Sequence, residues 1–235
     1  MQNYLILNGK ISTLIQGLII QELPPISKPK IRAKVEEIDG RDGDIITPLG
    51  YGAYDKEFLI GLYGDFDINE VIEYFNTSGT VTFSNEEDKY YNYQIIEQID
   101  FERLIRFKKA KVKMHMQPFK YSLEENSKVF NFTESNGQFI IYNVGNIYSK
   151  PNLTITGTGD ISISLNGVQM FQIQLGTLGS ITIDTTQMEA YQGTTLLNRL
   201  VTGNYDNFKL NVGKNLISFN GSVSKAEIQN FSRWI

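Results

Sequence analysis

The sequence predicts a mainly β protein of two domains, and three observations carry that prediction. Short runs rich in aromatic and β-branched residues alternate with period two, as half-buried strands do. Twenty glycines against six prolines punctuate those runs, and most sit where turns are expected. Only one segment, residues 68–76, carries a clear helical period. The expected organisation is an N-terminal β-sandwich-like domain at 1–121, with one short helix and an extended hairpin or arm. A linker follows at 122–137, and then a β-sandwich or jelly roll of roughly eight strands at 138–235.

The elements follow in order. Residues 4–7 and 11–20 read as strands around Asn8-Gly9, a dipeptide favoured in tight hairpins, with a bulge or bend at Gly17. Pro24, Pro25 and Pro29 confine 23–29 to an extended edge segment. Residues 31–38 alternate again, and the glycines Gly40, Gly43, Gly50 and Gly52 make 38–56 a long loop or extended hairpin. After a strand at 58–63, Asp67 is the expected N-cap of the helix, with Glu70 completing a capping box. Ile68, Val71, Ile72 and Phe75 form its apolar stripe. Strands are expected at 80–83, 90–98 and 101–107.

The stretch 107–121 closes the first domain. Ala110, Val112, Met114 and Met116 alternate with Lys109, Lys111, Lys113 and His115, so one face of a strand is apolar and the other cationic. Pro118 is expected to end that strand and mark a hinge, since proline has no N–H for the ladder. In the second half, strands are expected at 139–142, 153–156, 161–165, 170–175, 180–183, 208–210, 215–219 and within 226–234. Asn166-Gly167 is a strong hairpin signal, Gly157-Thr158-Gly159 a turn, and 187–204 the one place for a short helix.

Composition narrows function. A net charge of −4 argues against generic nucleic-acid binding. The absence of cysteine removes disulfides, thiolate nucleophiles and Cys-ligated metals and fits a reducing compartment. The N-terminus does not read as a signal peptide, no apolar run is long enough for a membrane helix, and synthesis in the cytosol is expected.

Candidate chemistry is sparse. His115 is the single histidine; it reads as an exposed strand residue with no partner placed by spacing, and no G-x-S-x-G elbow presents a serine. Asp39, Asp42 and Asp44, and again Glu86, Glu87 and Asp88, depart from a calcium-loop pattern and read as solvated turns. Gly157-Thr-Gly-Asp precedes a strand, not a helix, which removes a phosphate-loop reading. Tyr191, Tyr205 and Phe208 read as core or rim residues, with stacking on sugar rings as the alternative. The row Lys109, Lys111, Lys113 and His115 reads as a solvated face, or as a surface lining a lumen or meeting an acidic partner.

Taken together, the Asp39-Gly40-Arg41-Asp42-Gly43 loop, the capped helix, Phe83-Ser84 through Tyr91, and Pro118-Phe119-Lys120-Tyr121 resemble the distal tail proteins (Dit family) of long-tailed, non-contractile phages. So do Asn143-Val-Gly145-Asn146 with Pro151, Asn166-Gly167, Ile183-Asp184 and Gly213-Lys-Asn215. The resemblance spans nearly the whole chain. It implies an N-terminal domain that assembles as a homohexameric, possibly stacked, ring and a galectin-like C-terminal sandwich. It further implies a non-enzymatic tail-tip hub in the virion, without cofactor or metal. The partners implied are the tail tube protein, a tail-associated lysin or hub protein, and receptor-binding or baseplate proteins. No membrane is involved, and DNA meets the protein only by passing through the channel. Asp39, Gly40, Arg41, Asp42 and Gly43 become candidate subunit-interface residues, and Lys109, Lys111 and Lys113 a candidate lumen or interface face. The competing expectation is a carbohydrate-binding adhesion module acting through the C-terminal sandwich; a glycosidase is disfavoured.

Overall fold

The structure, a computed structural model, describes residues 2–125, 127–133 and 136–235. It is mainly β, with 56% strand and 9% helix, so strand pairing rather than helix packing sets its architecture. In the first half the strands are β1 (Leu5–Leu7), β2 (Lys10–Ile11), β3 (Leu18–Glu22), β4 (Ile31–Glu37), β5 (Asp44–Tyr51), β6 (Tyr54–Leu62), β7 (Ser78–Phe83), β8 (Lys89–Gln94) and β9 (Lys109–Ser122). The helices are α1 (Ile68–Phe75) and α2 (Phe101–Phe107). In the second half they are β10 (Lys128–Asn131), β11 (Gln138–Asn143), β12 (Asn152–Leu165), β13 (Val168–Gly176), β14 (Ser180–Asp184), β15 (Glu189–Gln192), β16 (Thr195–Leu196), β17 (Val201–Gly203) and β18 (Gly213–Gln229). The chain forms two compact units, one taking in the residues up to Leu123 together with Ile235, the other Glu124–Trp234.

The first unit is a seven-stranded sheet in the order β2-β1-β7-β8-β9-β6-β3, with β4 and β5 forming a separate two-stranded hairpin. Alternation along β9 works as expected: Val112, Met114 and Met116 are fully buried. Each such side chain contributes about 1.5–3 kcal/mol relative to exposure. They share one core with Leu5, Phe58, Ile60, Phe83 and the α1 residues Val71, Tyr74 and Phe75. The Asp67 carboxylate caps α1, accepting from Asn69 N at 2.9 Å. Glu70 turns elsewhere, accepting from Gln16 N at 3.3 Å and pairing with Lys10 at 3.6 Å. The Tyr74 hydroxyl reaches the carbonyls of Leu5 and Lys10, both at 3.1 Å, which ties α1 to the β1–β2 hairpin.

Two local expectations are corrected here. Residues 101–107 form a helix, not a strand. Asp100 caps it, accepting from Arg103 N at 2.8 Å, and Lys108 ends it in the left-handed region. Phe101, Leu104 and Ile105 stand at helical spacing, and Leu104 alone of this helix is fully buried. Pro118 does not end β9, which continues to Ser122. Tyr91 pairs with Lys120 and Tyr93 with Met116, so residues 117–119 bulge opposite Asn92. The missing proline N–H falls where the ladder is already broken.

The second unit is built on two long strands that each turn a corner. The first part of β12, Leu153 to Thr156, pairs with β14 and with the last part of β18. Its last part, Ser162 to Leu165, pairs with β13 and with the first part of β18. Register shifts at Thr156/Gly157 and Thr158/Ser162 mark the corner. A Cβ on Gly157 would lie 2.2 Å from Ser222 O, so the two backbones meet there at a distance only glycine allows. The nine-stranded sheet thereby doubles over into two layers around one core containing Phe139, Leu153, Ile163, Phe171, Ile183, Phe208, Ile217 and Ile228.

The separate strands expected at 153–156 and 161–165, and at 215–219 and within 226–234, are therefore two halves of β12 and of β18. The Gly157-Thr158-Gly159 turn is that bend. Asn166-Gly167 makes the expected hairpin, pairing Leu165 with Val168, with φ of 52° and 84° at the turn. Residues 128–131, inside the expected linker, form β10 on β18. Residues 208–210 contribute only a bridge from Leu210 to Ser149, yet Phe208 and Leu210 are fully buried.

Candidate functional site

The most exposed regular element is the β4–β5 hairpin, hereafter the arm. Its register pairs Ile31 with Tyr51, Ala33 with Pro48, Val35 with Ile46 and Glu37 with Asp44, leaving Leu49 as a bulge. Directly opposed residues share a face. One face of the arm therefore carries Ile31, Ala33, Val35, Ile46, Pro48 and Tyr51, with Glu37 and Asp44 at its tip end, and the other holds Arg32, Lys34, Glu36, Ile45 and Thr47. Lys34 and Glu36 pair at 2.6 Å on the polar face. The apolar face is uncovered: Val35 is 54% and Ile46 64% exposed, and every residue of β4 is exposed. Asp39, Gly40, Arg41, Asp42 and Gly43 form the exposed turn at its end, with Gly40 and Gly43 at positive φ. A lone two-stranded hairpin is marginally stable in water, and this one presents its hydrophobic side to solvent.

The root of the arm is firmly held. Tyr51 packs edge-on against Phe119 at 5.4 Å, and Gly52 N donates to Lys30 O at 2.8 Å. The Pro24–Pro25 segment that leads into the arm is held by side-chain donors. Asn85 Nδ2 donates to Pro24 O at 3.0 Å, and Lys56 Nζ to Pro25 O at 2.6 Å. Lys56 is buried beside the rings of Tyr54, Phe83 and Tyr91. Glu86 accepts from Lys120 Nζ at 2.7 Å and from the Tyr91 hydroxyl. Burial pushes the Lys56 ammonium down to about 8, with Glu86 opposing the shift and Lys120 adding to it. Burial, reinforced by Glu86, raises the Tyr54 phenol to about 12.

The cationic row of β9 lies on the outer face of the sheet, opposite an acidic row on β6. Asp55 stands across from His115 and Glu57 across from Lys113. Diagonal pairs form as well: Lys111 with Glu57 at 2.6 Å and Lys113 with Asp55 at 3.1 Å, while Lys113 also meets Glu97. His115 Nδ1 lies 2.8 Å from Asp55. The hydrogen bonds from His115 and Lys113 hold the Asp55 carboxyl below its ordinary range, and those to Glu97 and Asp55 raise the Lys113 ammonium. Lys111 and Lys113 are thus locally neutralised, and His115 is engaged by Asp55. Lys109 is exposed and has no carboxylate partner among the described residues. The partner of His115 comes from a strand 60 residues earlier, out of reach of any spacing argument.

The remaining candidates resolve into structure. Glu86 belongs to the buried cluster, Glu87 accepts from the Tyr4 hydroxyl at 2.6 Å, and Asp88 pairs with Lys89. No group of three or more histidine and acidic side chains among the described residues is arranged to hold a metal. Phe208 is fully buried core, Tyr205 is half-buried and packs edge-on against Phe171 at 5.0 Å, and Tyr191 is half-buried on β15. Asn143 and Asn215 are buried loop organisers. Asn143 Nδ2 donates to Ile147 O and Leu210 O; Asn215 Nδ2 donates to Asn211 O and Gly213 O.

The fold and these surfaces define a two-unit β scaffold whose prominent feature is a projecting amphipathic arm. No family model matches the chain, and no curated protein matches it. Among solved structures it is similar to the SPP1 Dit (gp 19.1) protein, described as a paradigm of hub adsorption apparatus in Gram-positive infecting phages. The match covers 97% of this chain and 99% of that one, at 17% identity and a TM-score of 0.61. At that identity the likeness establishes a shared fold over both units. A chain of the phage P2 baseplate in its activated conformation with Ca matches over 97% of each chain at 12% identity; its TM-score of 0.47 is too low to carry an argument.

Proposed function

We propose that the protein is a structural hub of a phage tail tip. In this reading the domain at 1–121 forms a hexameric ring and the sandwich at 138–235 is presented from it. The ring joins the tail tube to tail-associated lysin or baseplate proteins and to receptor-binding proteins, and DNA passes through its channel. It is made in the host cytoplasm, acts in the virion, and is not an enzyme. The observation that carries the reading is the arm: a firmly rooted hairpin whose apolar face the described residues leave bare. Burying Val35 and Ile46 against a neighbour would contribute about 1.5–3 kcal/mol each. The end-to-end likeness to a phage hub protein supports the same reading.

The test is the particle mass of the full chain in solution. Native mass spectrometry is expected to find a six-fold multiple of 26.7 kDa. Replacing residues 33–48 by a short glycine linker is expected to give monomers whose far-UV spectrum remains that of a folded β protein, less the strand signal of the arm. Monomers of the unaltered chain at every concentration, even with a tail tube protein present, would remove the ring reading.

A further inference from the structure

We propose that β11, an open edge of the second unit's sheet, pairs antiparallel with β11 of a second copy about a two-fold axis at Ile140. The contact lies outside the ring-forming domain and does not depend on the ring reading.

β11 pairs only with β18, from Gln138 to Asn143. Phe219 N donates to Gly137 O at 2.8 Å, which fixes the parity of that ladder. Phe139, Ile141 and Asn143 therefore turn their backbone groups towards β18, while Gln138, Ile140 and Tyr142 turn theirs outward. The outward N–H and C=O groups have no hydrogen-bond partner among the described residues. The side chains of the same three residues are exposed, Ile140 by 42% and Tyr142 by 53%.

The other edges of this sheet are blunted in ways that β11 is not. β16 and β17 are only two and three residues long, and β10 carries Lys128. β11 runs for six residues without proline, charge or register shift. An edge of that kind is a template for another strand. Phe130 stacks on Phe139 at 4.0 Å and closes the inner side, so the backbone edge and its outer apolar face are what remain open.

The lack of charge selects a second copy as the occupant. Residues 137–149 contain no acidic or basic side chain. A two-fold contact sets each group near its axis against its own image, where any charge would repel. With the axis at Ile140, that side chain meets Ile140 of the second copy, and Gln138 meets Tyr142. Each of these pairs exchanges two backbone hydrogen bonds, so every outward group of the edge is satisfied. Lys214 stands across from Tyr142 on β18, one strand back from the edge and away from its image. A shared strand edge belongs with transient interfaces, below about 1,200 Å². Pairs therefore form in concentrated protein and part on dilution, and the chain with a shortened arm, monomeric when dilute, pairs in the same way.

Charge placed on the axis tests the register in the full chain. Ile140→Lys and Ile140→Glu each set like charges face to face. The side chain points to solvent within one copy, so circular dichroism and urea midpoints should report folded protein in both variants. Sedimentation equilibrium of the unaltered chain over a concentration series is expected to show the particle mass doubling. The doubling runs from ring to ring pair where the ring forms, and from monomer to dimer where it does not. Each variant should need at least about tenfold more protein to reach half-doubling, because like charges are opposed. An equimolar mixture of the two should recover, since lysine then faces glutamate. If the unaltered chain doubles and both variants double equally well, another surface makes the pair. If both variants fail and their mixture fails too, the axis does not lie at Ile140. If the unaltered chain never doubles up to its solubility limit, β11 does not take a second copy, whether or not the six-fold ring is found.

Discussion

Glu86 Oε1 lies 2.7 Å from Lys120 Nζ, and the two side chains keep only 13% and 7% of their exposure. The carboxylate also accepts from the Tyr91 hydroxyl and stands near Lys56, so one anion stabilises a buried group containing two cations. Removing it with Glu86→Ala leaves both ammonium groups buried without an anion. Urea unfolding is expected to show a loss of about 3–5 kcal/mol, the usual cost of orphaning one member of a buried pair. A loss below about 1 kcal/mol would mean that water reaches this cluster freely.

Lys56 sets a pH dependence. Its pKa in the folded protein, about 8, lies below the unconstrained value of 10.5. Between those values the unfolded chain binds more protons, so this group makes stability rise with pH. Across pH 7.5–9.5 its contribution is expected to grow by about 2 kcal/mol, and above pH 10 the raised tyrosines Tyr54 and Tyr91 work in the opposite direction. Lys56→Met should abolish the rise between pH 7.5 and 9.5. Urea midpoints at several pH values, compared for the two proteins, provide the check.

Asn215 holds the Asn211-to-Gly213 loop through buried amide hydrogen bonds, donating to two carbonyls and accepting from Asn211 N at 3.0 Å. Asn215→Ala is expected to lower stability by about 2–3 kcal/mol because several of those backbone groups lose their partner. An unchanged m-value with a lower urea midpoint would show that the loss is energetic rather than a change in the unfolded chain.

Two glycines separate close approach from backbone strain. Gly167→Ala adds a methyl group into open space, and only its φ of 84° opposes the change, at about 1–2 kcal/mol. Gly157→Ala drives a methyl group to 2.2 Å from Ser222 O. The expected loss is about 3 kcal/mol or more, the range of overpacked or strained sites. Equal losses in thermal melts of the two variants would contradict the corner geometry.

What can be read from the amino acids divides by range. The α1 cap, the Asn8-Gly9 and Asn166-Gly167 hairpins and the buried face of β9 are local patterns, and all are legible. Phe101–Phe107 reads as strand because four of its seven residues, Phe101, Leu104, Ile105 and Phe107, are aromatic or branched, although Asp100 and the Phe101, Leu104, Ile105 spacing already write a capped helix. Pro118 misleads because a bulge is a property of two strands, and only the partner β8 reveals it. Gly157 and Gly159 read as a turn because a strand that bends needs the same residue type as one that ends. The lysine face looks bare because Asp55 and Glu57 belong to another strand, and pairing them requires the register. The arm is legible as a hairpin. Its alternating pattern normally means one face against a core, and only the three-dimensional fold shows that this face meets no core among the described residues.

The corner strands have a mechanical consequence. Because β12 and β18 run without interruption from one layer of the sandwich into the other, the two layers share their central members and no hinge line lies between them. Peeling one layer from the other would require both long ladders to yield on both sides of the bend. The bound ends add to this: Glu125 at the unit's entry accepts from Ser232 N near its exit, at 3.0 Å. Glu125 and Ser232 thus tie the unit's entry to its exit, and both long ladders must yield before its layers can part.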